Sequence, residues 1–92
     1  MLNKWVNKHM NKERLGPDGG IVLLDDELPR VCRITIEKKT KVNNNYFAVT
    51  VVIYDRFLDT SYYNDLDDAM EALKTIKLLV ETINEINKKE SD

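Results

Sequence analysis

The sequence predicts an α+β fold: an antiparallel three- to four-stranded β-meander with one long C-terminal helix packed on one face. Three observations predict it. Residues 31–38 alternate apolar and polar positions, and 46–54 is a run rich in β-branched and aromatic side chains. Short polar stretches separate those blocks. From about residue 65 the apolar period changes from two to that of a helix.

In chain order, Leu2, Trp5, Val6, His9 and Met10 follow helical spacing, so a short amphipathic helix is expected within residues 2–14 of an N-terminal segment, 1–15. Gly16-Pro17-Asp18-Gly19-Gly20 holds every glycine of the chain and breaks the backbone there. It leads into Ile21-Val22-Leu23-Leu24, a strand. A phosphate-cradling loop would instead close onto a helix and carry the Lys and Ser/Thr of a P-loop. Asp25-Asp26-Glu27-Leu28-Pro29 reads as a turn.

Val31–Lys38 alternates Cys32, Ile34 and Ile36 with Arg33, Thr35 and Glu37, the mark of a half-buried strand. Lys39–Asn45 reads as a polar loop, where Asn43-Asn44-Asn45 supplies left-handed backbone without glycine. Tyr46–Tyr54 is apolar on both faces, as expected of a central strand. Asp55-Arg56 fits a two-residue hairpin turn, and Phe57–Tyr63 returns as the next strand. The final helix is expected over residues 65–88, capped by Asn64 or Asp65, with acids in its first turn and Lys88-Lys89 in its last.

A chain of 92 residues fits a single domain, 1–92, with the sheet at 21–63. Apolar residues are 42% and charged residues 33%, enough for a core and a solvated surface. The formal net charge of −2 lacks the basic excess usual for a nucleic-acid binder. Cys32 is the sole cysteine, so an intramolecular disulfide and the multi-cysteine zinc patterns are excluded. The opening stretch has charges throughout, so no signal peptide is expected. No apolar run approaches the roughly 20 residues of a membrane span. A cytoplasmic protein without membrane contact follows.

On a helical wheel, the apolar residues of the last helix fill an arc of roughly 200°, whereas one sheet face needs a stripe of only about 100°. Leu66, Met70, Leu73 and Val80 form one flank. Ala69, Ala72, Ile76, Leu79, Ile83 and Ile86 form a second, heptad-like seam. Either the N-terminal segment, with Trp5 and Met10, folds back over that seam, or the seam meets another protein or a second copy of the chain. Ala72, Ile76, Leu79, Ile83 and Ile86 are the interface candidates.

Chemistry is sparse. His9 is the only histidine, and neither Ser61 nor Ser91 lies in a nucleophile motif. The acids cluster as Asp25-Asp26-Glu27, Asp55 with Asp59, and Asp65-Asp67-Asp68, without the spacing of a calcium loop. No catalytic residue, metal ligand or cofactor site is assigned. The expectation is a non-enzymatic interaction module, homodimeric through the C-terminal helix. Its alternative is a single-strand nucleic-acid binder stacking bases on the sheet through Tyr46, Tyr54 and Tyr62, with Arg33, Lys38, Lys39 and Arg56 beside them. A small enzyme stands third.

Overall fold

The computed structural model describes residues 4–8 and 13–90, the side chains of 89 and 90 excepted. Five antiparallel strands form one sheet in chain order: β1 (Val6–Asn7), β2 (Ile21–Leu28), β3 (Cys32–Lys41), β4 (Asn44–Ile53) and β5 (Phe57–Tyr63). The one helix among the described residues, α1 (Leu66–Glu90), lies across β3, β4 and β5. The α+β meander is as the sequence predicts, with one strand more.

That extra strand corrects the N-terminus. Within the expected helix, Val6 and Asn7 instead pair with Glu27 and Asp26 of β2. Pairing with a waiting sheet edge outweighs the weak propensity of a short uncapped segment. Leu2, His9 and Met10 lie outside the described residues.

The expected turn at Asp25–Pro29 is also corrected, because Asp25, Asp26 and Glu27 belong to β2. Acids are poor strand formers in isolation. Here each has a cation: Arg14 and Arg33 for Asp25, Lys77 for Asp26 and Lys8 for Glu27. The register between β2 and β3 slips at Leu23, a bulge.

The expected loop at 39–45 shrinks to a tight turn, with β3 and β4 paired as far as Lys41 and Asn44. Asn43 takes the left-handed conformation foreseen for the asparagines, at φ 66°, but Val42 does so as well, at 45°. At the next turn Asp55 is left-handed, φ 65°, in a three-residue loop that closes on Ile53 and Phe57. The strand expected as central, at 46–54, is interior to the sheet as β4, between β3 and β5, and β3 holds the middle place.

Opposed residues of antiparallel strands point to the same side. Under α1 therefore lie Leu28, Cys32, Ile34, Ile36, Val49 and Val51, which bury against Ala69, Leu73 and Val80. Each fully buried aliphatic side chain contributes about 1.5–3 kcal/mol. Asp65 caps α1: its carboxylate accepts the Asp67 N–H at 3.0 Å and its carbonyl accepts the Ala69 N–H at 3.2 Å.

Cys32 is fully buried, and burial pushes its thiol pKa up to about 11. In native buffer near neutrality a thiol reagent is expected to modify Cys32 only as fast as the protein opens, against rapid modification in denaturant. Fast labelling of the native chain would place Cys32 outside the core.

Candidate functional site

The interface candidates divide on the structure. Ala69, assigned to the second seam by its spacing, is fully buried at the centre of the helix contact, while Leu66 of the first flank is 39% exposed. Alanine lets the helix backbone come close to the sheet, so the helix turns that side inward. Ile76 packs partly against the core and Ala72 is half-buried. Leu79, Ile83 and Ile86 keep 58%, 48% and 49% of their surface exposed.

The described part of the N-terminal segment does not cover them. Trp5 lies on the opposite flank of α1, where its indole N–H donates to Glu81 Oε1 at 2.6 Å and Lys77 Nζ sits 4.8 Å from the ring centroid. Lys77 also binds Asp26 of β2 at 3.0 Å, which fixes that flank to the β1–β2 side. The exposed seam is turned the other way. Ile83 and Val80 line a groove of about 500 Å³ with Ile53 and Phe57, at the start of β5.

Strand β5 adds Phe57 on that side, while its Leu58 and Tyr62, opposite Val52 and Ala48, point to the sheet face away from α1. Phe57 is 53% exposed, Leu58 69% and Tyr62 55%. Phe57 thus extends the apolar side of the helix seam, and Leu58 and Tyr62 expose further apolar surface on the other face of β5. The adjacent pairs Phe57-Leu58 and Tyr62-Tyr63, which put an apolar side chain on each face of a strand, are the signal in the sequence that could have pointed to it.

The sheet face away from α1 carries polar networks. Burial pushes the Asp25 carboxyl up, but Arg33 (Nε to Oδ1 2.7 Å) and Arg14 together hold it below its usual value. Glu37, wholly buried, accepts the backbone N–H groups of Asp18 at 3.0 Å and Gly20 at 2.7 Å, which latches the Gly16–Gly20 turn onto β3. A Cβ at Gly16 would stand 2.5 Å from Glu37 Cδ, so a larger residue there would have to push the Glu37 carboxylate from its place. The hydrogen bond from Lys39 to Asp18, at 2.7 Å, lowers the Asp18 pKa and raises that of Lys39.

The nucleic-acid candidates fall in four places. Tyr46 and Tyr62 meet with ring centroids 5.9 Å apart, and Lys39 lies 6.0 Å from the Tyr46 centroid. Lys41 borders the same pair. Arg33 is committed to Asp25, and Tyr54 donates its hydroxyl to Glu27; burial and that bond push its pKa up to about 12. Lys38 stands opposite Phe47, on the helix face, and Arg56 lines the groove beside Phe57.

Among the described residues no group of His, Cys, Asp or Glu is placed to hold a metal ion. No described helix is long and apolar enough to cross a membrane. Neither the family models, nor the curated proteins, nor the solved structures include a match to this chain.

Proposed function

We propose that this chain is a non-enzymatic, cytoplasmic interaction module that associates through its exposed apolar side, with a second copy of itself as partner. The single observation behind this reading is the exposure of Leu79, Ile83 and Ile86 on a helix whose adjacent stripe already fills the core. Contiguous apolar surface of this kind marks association sites in folded proteins. A two-fold contact buries the same patch on both chains at once. Cytoplasmic placement draws on the single, buried cysteine.

Light-scattering mass on a sizing column, at two protein concentrations, tests the proposal. A dimer that dissociates on dilution is expected. Leu79→Glu should elute as a monomer with unchanged circular dichroism, because Leu79 is 58% exposed and outside the core, and should melt lower only by the mass-action stabilisation that the dimer supplied. A wild-type monomer at both concentrations would overturn self-association.

The pairing of Tyr46 with Tyr62 beside Lys39 and Lys41 supports the second reading, base stacking on the open sheet face. Against it weigh the carboxylates of Asp18 and Asp25, which engage Lys39 and Arg33. Titration with single-stranded oligonucleotide at low salt, followed by intrinsic fluorescence, decides: affinity no tighter than millimolar ends this reading.

A further inference from the structure

We infer that β5 pairs antiparallel with the β5 of a second copy, about a two-fold axis through Thr60, joining two sheets into one. The inference rests on the self-association proposed above and specifies its contact.

The two edges of the sheet are not alike. The chain covers the β2 edge itself. Val6 and Asn7 pair there, Lys8 N–H donates to the Asp25 carbonyl at 2.6 Å, and Val22 N–H donates to the Arg14 carbonyl at 3.0 Å. No described strand pairs with the outer side of β5. Exposed edges are normally blunted by charged side chains, Lys above all, by Pro or by a bulge. Phe57–Tyr63 contains no Lys or Pro, has Asp59 as its one charge, and pairs with β4 without a register shift.

Symmetry limits the register. A two-fold axis perpendicular to the sheet keeps like faces together, so it passes through a residue rather than between two. Through Thr60, Phe57 faces the second copy's Tyr63, Leu58 faces its Tyr62, Asp59 faces its Ser61, and the two Thr60 residues meet. The whole strand is used. Aromatic, aliphatic–aromatic and threonine pairs are those that stabilise antiparallel neighbours. Thr60 already shares a 3.0 Å hydroxyl contact with Thr50, so the hydroxyl row would continue across the axis. Moving the axis to Asp59 sets two carboxylates face to face and strands Tyr62 and Tyr63. Moving it to Ser61 strands Phe57 and Leu58.

The helices then lie on the same face of the joined sheet, one on each side of the axis. With each above its own β4, three strand spacings separate them by roughly 14 Å. That exceeds the roughly 8–10 Å of directly packed helices. Leu79, Ile83 and Phe57 from both copies are the side chains available to fill the space between.

The test uses two double variants, Leu58→Lys with Tyr62→Lys, and Leu58→Glu with Tyr62→Glu. Both positions are more than half exposed, at 69% and 55%; Tyr62 gives up its ring contact with Tyr46 and its hydroxyl bond to Asp18, and circular dichroism of each variant checks that the monomer stays folded. Each variant alone sets like charges opposite each other twice and is expected to weaken self-association by about tenfold or more. An equimolar mixture should recover the dimer mass. Dimers from each variant alone, or monomers that stay apart on mixing, would overturn the Thr60-centred pairing while wild-type dimerisation still stood. A monomeric wild type would overturn the underlying reading instead. Amide hydrogen exchange of the wild-type chain gives a readout without substitution: protection of alternate β5 amides should rise with protein concentration, and concentration-independent exchange there would overturn the pairing.

Discussion

Ile34→Ala is expected to lower the unfolding free energy by about 3 kcal/mol, inside the roughly 2–5 kcal/mol range of buried isoleucine truncations. Ile34 is wholly buried and stands in β3 between Asp26 of β2 and Val51 of β4, beneath α1. Both neighbouring strands hold their register there, so the sheet cannot close around the missing carbons and a cavity remains. For a small domain whose stability is about 5–15 kcal/mol, the loss is large. Urea unfolding at one fixed protein concentration measures it. The midpoint should fall with little change in slope. Concentration must be fixed because association stabilises the folded chain by mass action. A cost below about 1 kcal/mol would show that Ile34 is not a core position.

Asp25→Ala is the second large effect, expected at about 2–3 kcal/mol. Breaking a fully buried ion pair costs about 3–5 kcal/mol, because one charge is left stranded. Asp25 is wholly buried, but the side chains of Arg14 and Arg33 keep 35% and 37% of their exposure and can be rehydrated, which reduces the cost. The pH dependence carries the sign. The folded pKa of Asp25 is depressed, since the two guanidiniums outweigh the effect of burial. Its contribution is therefore complete above the unfolded value of about 3.9 and is lost as pH falls through the folded one. The stability gap between wild type and Asp25→Ala should narrow as pH drops below about 4. A gap that stays constant down to pH 2 would mean that the carboxylate charge is not what holds Arg14 and Arg33.

Much of this fold is legible residue by residue. The alternation of Cys32, Ile34 and Ile36, the double-sided apolar run at Phe47–Ile53, and the helical spacing from Leu66 onward each report local geometry. The strand at Val6–Asn7 is not legible, because two residues carry no period and their neighbours imitate a helix. The acids of β2 mislead for a different reason. Their compatibility with a strand depends on Arg14, Arg33 and Lys77, and the Lys77–Asp26 contact spans 51 residues of sequence. The surplus apolar arc of α1 is visible on a wheel. Its division is not, since Ala69 sits in the core and Leu66 does not only because of how the helix rolls on the sheet.

By itself the sequence determines what repeats locally: the fold class, the three long strands from residue 32 to 63, the capped helix, and an excess of apolar surface on that helix. Periodicity suffices there, since each element is set by neighbours a few residues apart. The tertiary structure decides which flank of α1 Trp5 occupies, through a hydrogen bond spanning 76 residues, and therefore which flank stays open. It also decides that the N-terminal segment covers one sheet edge while no described strand pairs with the outer side of β5. Such outcomes are set by contacts between residues far apart in the chain, and no local pattern encodes them.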